Sequence, residues 1–462
     1  MNPLTREEFQ DTLKKGLGRA VQHVKNSPPE SVREDLLYAC LHNVACDPLT
    51  ECSRAPWLYE MIRLSGEMEF YKQEIFDTYF KSSNEPLATW DSRQLFQLLG
   101  QFFIHGDPQA GEEVYRIFDW QCTNEKFHGY VYSYAVDEII EADGIAGLIH
   151  IIDRLGHCIH NEEYVYLSPH LLVNAEEKFG LEAVKQALQI EATRNEFVRL
   201  YLEHPETQAN EENDAKDETD EQRQERMREE YPLRNYVDSF LAGDYSHFKN
   251  DEQRLKYRHQ FSIAGTWANE EDLDYAFDKM ISTDNPLRKT ILLMTFYYRP
   301  FPRMEASLLE LLDSEYEYLA WTVGVVFSQS SHALIREKSL KALESNPPQK
   351  NWFLGFKWAE NSFQREDVPL LETSLLTKKI PNDHDLEIAG IHLKSIYKRL
   401  PGEHFKTIFL WLYEHNPCSY CREEIVEILI ENHWITPEIL EECRNDCDSD
   451  TRELAEKQLA LS

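Results

Sequence analysis

The sequence lacks the short motifs that mark the common catalytic sites. No GxGxxG, GxxxxGK(S/T), GxSxG or HExxH pattern is present. These motifs build the phosphate-binding loops, nucleophile turns and metal-binding helices of many nucleotide-binding proteins, hydrolases and metalloproteases. The sequence therefore indicates none of those classes, and we expect no catalytic residue and no cofactor.

Long hydrophobic runs are also missing. No stretch approaches the roughly 18 consecutive apolar residues that a membrane-spanning helix needs, and the opening MNPLTREEFQ has no basic-then-apolar signal pattern. The nine cysteines are odd in number and scattered, which is more typical of free thiols in a reducing compartment than of a disulfide framework. We expect a cytoplasmic protein with no membrane partner.

Positive charge is scarce, with 48 Lys and Arg against 82 Asp and Glu and a formal net charge of −34. A surface of this sign repels phosphate backbones, so we expect no nucleic-acid partner. The same surface attracts basic proteins. The charge therefore favours a basic protein partner.

The stretch Trp434–Ser462 has the pattern of a helical hairpin. Thr436 is suited to cap a first helix that opens with Pro437, and Asp448 or Ser449 is suited to cap a second one. The apolar residues of the two helices repeat at helical spacing: Ile439, Leu440 and Cys443, then Leu454, Ala455, Leu459 and Leu461. Because two such short helices cannot bury their own apolar stripes, they need neighbours of the same build.

Helical signals fill most of the remaining chain. The spacing of Thr5 and Glu8 predicts a capping box before a helix that runs to about Lys25. Ser31 and Glu34 have the same spacing. Asp91 is suited to cap a later helix. Only 127–134, which is rich in aromatic residues, favours a short strand or extended loop. Further helices are predicted at about 53–64, 67–81, 91–105, 108–121, 135–142, 145–159, 168–178, 181–191 and 193–203. The fold class is therefore all-α.

An acidic segment divides the chain. Residues 206–230 contain eleven acidic and four basic residues and almost no apolar ones, so they cannot bury enough surface to offset the entropy of ordering. We expect a helical region at 1–203, a disordered or frayed-helical linker at 204–231 whose end extends the next helix, and a region of helical hairpins at 232–462.

A recurring frame links the hairpins. An arginine preceded in most copies by an apolar residue is followed by small or apolar residues three and seven positions later, at Arg33, Arg288, Arg336, Arg422 and Arg452. Together with Asp446, Ala455 and Leu459 around Arg452, this frame resembles the HEAT-repeat family, although Thr451 replaces the usual valine-like residue. The resemblance is strongest in 232–462. It implies an α–α superhelix, or α-solenoid, whose long surfaces bind proteins.

Known enzymes of that family do not fit the sequence. Some HEAT-repeat enzymes bind iron through His-Glu dipeptides, but no histidine of this chain is followed by glutamate. Others excise damaged bases from DNA held in a basic groove, and the net charge of −34 argues against that activity.

Two groups of residues are nevertheless candidates for chemistry. Cys418 and Cys421, with Cys443 and Cys447, have nearly the spacing of a structural zinc site, but Cys443 also belongs to an apolar stripe, so packing is the alternative. The histidines between 150 and 170 are candidates for metal binding or acid–base chemistry, and packing is again the alternative. This second group comprises His150, His157, His160 and His170, with Cys158 and Asp153.

The tryptophans are spread along the chain and are densest at Trp352–Trp358, where they either fill the core or line a binding face. Taken together, the patterns predict a non-catalytic scaffold or adaptor that binds a protein partner. Two alternatives stay open. One is an immunity-type antagonist that masks a basic toxin or enzyme, and the other is a HEAT-like enzyme with a histidine-lined site near 150–170.

Overall fold

A computed structural model describes residues 3–81, 89–122, 132–161, 170–204, 219–243, 251–345, 352–377, 380 and 382–461. These residues form helices and no strand, which confirms the all-α class for the described part of the chain. The chain packs as two compact units. Unit 1 comprises Met1–Lys216, Cys418–Glu423 and Thr436–Ser462, and unit 2 comprises Asp217–Pro417 and Glu424–Ile435.

The N-terminal helices of unit 1 pack around one apolar core. They are α1 (Arg6–Lys15), α2 (Arg19–Asn26), α3 (Pro29–Leu41), α4 (Ala55–Ser65), α5 (Met68–Lys81), α6 (Trp90–Ile104), α7 (Pro108–Cys122), α8 (Tyr132–His160), α9 (His170–Phe179), α10 (Leu181–Ala192) and α11 (Glu196–Glu203). Contacts between alternate helices arrange them in two rows. One row contains α2, α4, α6, α8 and α11, and the other contains α1, α3 and α5.

Unit 2 repeats this arrangement around its own core. Its helices are α12 (Asp220–Glu230), α13 (Leu233–Ala242), α14 (Asp251–Trp267), α15 (Glu270–Ser282), α16 (Pro286–Leu293), α17 (Ala306–Glu310), α18 (Glu317–Phe327), α19 (Ala333–Glu344), α20 (Trp352–Ser362), α21 (Val368–Thr377), α22 (Asp383–Arg399) and α23 (Lys406–His415). One row of contacting helices, which we call the second layer, runs through α14, α16, α18, α20 and α22. The other row, which we call the first layer, contains α13, α15, α19, α21 and α23. In it α13 contacts α15, and α21 contacts both α19 and α23.

The last helices are α24 (Ser419–Glu431), α25 (Pro437–Cys443) and α26 (Ser449–Leu461). Thr436 caps α25 with Pro437 at its first position, and Asp448 accepts the Thr451 amide at 2.8 Å at the start of α26, as predicted. We expected 232–462 to form one region. Instead, residues 418–423 and 436–462 pack in the same unit as the N-terminal helices.

Several predicted helix boundaries are displaced. The capping box of Thr5 and Glu8 is present, but the helix ends at Gly16, which has a φ of 73°. A Cβ at Gly16 would overlap the sulfur of Cys447, so this position requires glycine. The predicted capping residue Ser31 lies inside α3, which begins at Pro29.

Of the remaining predictions about helix ends, some are confirmed and others are displaced. Thr89, and not Asp91, caps α6 through a box with Ser92. The predicted separation of the helices at 135–142 and 145–159 is confirmed by non-helical backbone at Gly144. The tail of the acidic segment is a separate helix with its own capping box at Thr219. Positions 205–218 of that segment and 127–131 of the predicted strand lie outside the described residues, and Tyr132 opens α8.

Candidate functional site

Arginine–carboxylate pairs tie neighbouring helices together in both units. In each pair the carboxylate lies between 24 and 38 residues after the arginine. The pairs are Arg6–Asp35, Arg33–Glu67, Arg234–Asp272, Arg336–Asp367 and Arg422–Asp446. Three of these arginines belong to the recurring frame of the sequence, whereas Arg288 and Arg452 of that frame donate to backbone carbonyls. These cations are therefore engaged within the chain.

A buried charge network of unit 1 surrounds the end of α1. Arg422 and Asp446 have fully buried side chains and are joined at 3.0 Å, and Arg422 also donates to the Lys15 carbonyl at 2.8 Å. Arg54 donates to the Lys14 carbonyl at 2.6 Å and pairs with the buried Glu51 at 2.6 Å. Two buried guanidinium groups thus bind carbonyls at the negative end of the α1 dipole.

The pKa of Glu51 reflects this environment. Burial alone raises the pKa of a carboxyl, but the charge of Arg54 and hydrogen bonds from the Asp47 amide and Ser419 outweigh it. The pKa of Glu51 therefore lies below its ordinary value. Because the charges in this network face one another inside the unit, we assign the network to structure.

The four cysteines of the predicted zinc site do not form a tetrad in the described part of the chain. Cys418 lies beside Cys421, whose amide donates to the Cys418 sulfur at 3.5 Å, and Cys447 lies beside Cys52, whose thiol donates to the Cys447 carbonyl at 3.5 Å. Cys443 is buried as predicted by its apolar stripe. The hydrogen bond to Cys421, followed by burial, raises the pKa of the Cys418 thiol.

The histidines of α8 also lie in two separate places, with His150 in one and His157 and His160 in the other. His150 lies 3.9 Å from Asp119 and its ring meets that of Tyr115 edge-on at 4.7 Å. His157 stacks on Phe197, and His160 contacts the same ring at 5.7 Å. The described histidines therefore do not point at one shared site, and the side chain of His170 lies outside the described residues.

Exposed aromatic residues of unit 2 lie on α18 of its second layer and in the segment that follows α16. Tyr298 is 59% exposed and Trp321 38% exposed. Tyr318 and Trp321 stack with 6.0 Å between ring centroids and 14° between planes, and Tyr297 meets Tyr298 edge-on at 4.7 Å. We call this surface the aromatic face. We define it by Arg258, Tyr297, Tyr298, Tyr318, Trp321 and Lys357.

Two cations accompany these rings. The Arg258 guanidinium carbon lies 5.1 Å from the Tyr318 ring centre and 5.6 Å from that of Trp321. The Lys357 ammonium lies 6.0 Å from the Tyr297 ring centre, and burial lowers the pKa of Lys357. No carboxylate with a described side chain lies within 4 Å of either cation. Their partners inside the chain are π faces.

The charges on α15 in the first layer are arranged differently. Glu271 is 84% and Asp278 64% exposed, and both are paired with arginines of neighbouring segments, Arg234 and Arg303. In unit 2, exposed carboxylates of α15 are therefore paired with arginine, whereas Arg258 and Lys357 lie against rings and have no carboxylate within 4 Å among the described side chains.

The sequence pointed only partly to the aromatic face. In the predicted cluster at 352–358, Trp352, Phe356 and Trp358 are buried core residues, and Lys357 alone belongs to the face. Arg258 and Tyr318 were missed, whereas Trp321 was one of the scattered tryptophans expected either in the core or on a binding face. A signal for the stacked pair existed, because Tyr318 and Trp321 are three positions apart and so share one side of a helix. Nothing local connects either of them with Arg258.

Comparison with models of known protein families and with curated protein sequences finds no match to this chain. Within the described helices, none combines the length and the apolar character needed to cross a bilayer.

Proposed function

We propose that this protein is a non-catalytic scaffold or adaptor that binds a protein partner. The observation that supports it most is the aromatic face, where exposed Trp321 lies beside Arg258 and exposed Tyr298 lies in the segment after α16. Tryptophan, tyrosine and arginine are the residue types that contribute most binding energy at protein interfaces. The paired helices of unit 2 and the HEAT-like sequence frame both agree with a repeat protein that offers a long binding surface.

The charge supplies the second part of the proposal. Arginines such as Arg234 and Arg336 pair with carboxylates of their own chain, which leaves the formal surplus of 34 negative charges without internal partners. We expect a partner that is basic overall, drawn by long-range attraction and released by salt. An antagonist that masks a basic toxin is the narrower form of this proposal, and it rests on the charge alone.

The test is affinity capture from lysate on the immobilised full chain, in parallel at about 0.05 M and about 0.5 M salt. Trp321→Ala is the test variant. Trp90→Ala is its matched control, because Trp90 is 37% exposed in unit 1 and also carries an arginine, Arg93, 4.5 Å from its ring centre.

We expect a stoichiometric partner at low salt with the wild-type protein and with Trp90→Ala, and a several-fold smaller yield with Trp321→Ala or at high salt. Capture of no stoichiometric partner at either salt would contradict the proposal. Equal loss with both tryptophan variants would remove the aromatic face from it.

A further inference from the structure

We propose that the aromatic face binds an extended peptide segment in which a carboxylate side chain lies beside an aromatic or aliphatic one. This inference deepens the proposed function and rests on it, because it names the segment of the partner that docks.

Arg258 has hydrogen-bond donors that no described residue of the chain uses. A guanidinium group carries five N–H donors, and a ring face holds its charge without accepting those hydrogen bonds in the usual geometry. Among the described residues none accepts a hydrogen bond from Arg258; its Nε is buried, so the two terminal nitrogens are the donors that a ligand can reach. In a chain with 82 acidic residues, we find no described carboxylate within 4 Å of this guanidinium. Arg258 is therefore suited to an acceptor supplied from outside the chain.

The geometry favours a carboxylate as that acceptor. Tyr318 and Trp321 hold the guanidinium group at 5.1 and 5.6 Å from their ring centres, so part of the side-chain entropy is already lost before a ligand binds. Arginine and carboxylate form charge-assisted hydrogen bonds, which are among the stronger polar contacts in proteins. Lys357 lies on α20 of the same layer, with its ammonium 6.0 Å from the Tyr297 ring centre, and offers a second positive group for a longer acidic segment.

The rings explain why the carboxylate belongs to a peptide with an apolar neighbour. Tyr298 and Trp321 expose 59% and 38% of their surface, and covering that surface requires apolar area in the ligand. A nucleic-acid strand also offers stacking groups and negative charge. However, every phosphate of such a strand adds repulsion from a chain of net charge −34, whereas a peptide segment with one or two carboxylates adds little.

Attraction to a basic partner and local recognition of a carboxylate are compatible. Long-range attraction depends on the summed charge of the partner, and docking depends on the few groups in contact. We therefore expect the partner to be basic overall and to present one acidic and apolar segment to the aromatic face.

The experiment is selection of displayed random peptides of about twelve residues on the immobilised full chain. Enriched peptides are then measured by fluorescence anisotropy. We expect enrichment of sequences with Asp or Glu next to Trp, Phe or Leu. Replacing the acidic residue of an enriched peptide by its amide should weaken binding at least about tenfold.

Variants assign that loss to the face. Arg258→Gln should lower the affinity for the acidic peptide to the same extent. The affinity of this variant for the amide peptide should equal that of the wild-type protein, because the change in the protein and the change in the peptide remove the same interaction. Arg93→Gln is the matched control and should bind as the wild type does. Trp321→Ala, which keeps the arginine, should weaken both peptides, and thermal unfolding of each variant confirms that it is folded.

Enrichment of lysine- and arginine-rich peptides, or of none, would overturn the inference, as would equal affinity of Arg258→Gln and wild type for the acidic peptide. Tighter binding of an oligothymidine probe than of every selected peptide would overturn it in favour of nucleic acid. A salt-sensitive protein partner captured from lysate while no acidic peptide is selected would leave the proposed function intact and reject this inference alone.

Discussion

Arg422 in unit 1 and Arg258 in unit 2 are used in opposite ways. Arg422 is fully buried, faces the fully buried Asp446, and binds the carbonyls that end α1. Arg258 is half-buried, faces two rings, and has no described carboxylate nearby. A paired buried arginine holds a structure together, whereas one held by π faces remains available to a ligand.

Breaking the buried pair should have the largest effect. Arg422→Met leaves the carboxylate of Asp446 buried without a cation, and we expect the free energy of unfolding to fall by about 3–5 kcal/mol. Chemical denaturation of the full chain measures this. Arg444→Met is the control in the same hairpin, because Arg444 is 46% exposed beside Glu441, and it should cost less than about 1 kcal/mol. A loss below about 1 kcal/mol for Arg422→Met would contradict the structural assignment.

The glycine beside this network gives the next largest effect. Gly16 and Gly66 have φ values of 73° and 75°, but a Cβ at Gly16 would overlap Cys447, whereas nothing lies within 4 Å of one at Gly66. Gly66→Ala should cost about 1 kcal/mol for the backbone alone. Gly16→Ala should cost about 1–3 kcal/mol more, because the sulfur must move. Equal losses in denaturation would show that the contact with Cys447 is unimportant.

Glu138 differs from Glu51 because desolvation and a neighbouring carboxylate, and not an arginine, set its pKa. Arg54 lowers the pKa of Glu51, whereas desolvation and the nearby Asp137 raise the pKa of Glu138 from 4.5 to about 8. Between these two pH values the folded protein keeps a proton that the unfolded chain has released, so stability falls as pH rises.

We expect Glu138→Gln to remove about 1 kcal/mol or more of this pH-dependent loss. Denaturation midpoints across that pH range test it, with the exposed Glu112→Gln as control. A slope against pH that is unchanged in Glu138→Gln would mean that this carboxyl is ionised in the folded protein.

The smallest effect on stability should come from the aromatic face. Arg258→Gln removes contacts with Tyr318 and Trp321 but leaves no described charge unpaired, so we expect a change below about 1 kcal/mol in the free energy of unfolding. Thermal and chemical denaturation check this beside Arg422→Met. A loss of about 3 kcal/mol or more would place Arg258 with the structural arginines and weaken the argument for recognition.

Local chemistry made much of the fold predictable. Capping residues such as Thr5, Thr436 and Asp448 act within three residues, so the sequence shows them directly. The contact of Arg422 with Lys15 joins residues 407 positions apart, and no periodic pattern reveals such a pair. Arg258 was missed for the same reason, since its rings lie on another helix. The burial of Trp352 was undecidable without knowing which side of α20 faces the core.

Hydrogen exchange on the full chain, with and without its captured partner, locates the binding surface. We expect slower exchange on binding in the segments that form the aromatic face, around Tyr297–Tyr298, Tyr318–Trp321 and Lys357. Slower exchange confined to unit 1, or no change in either unit, would contradict that expectation.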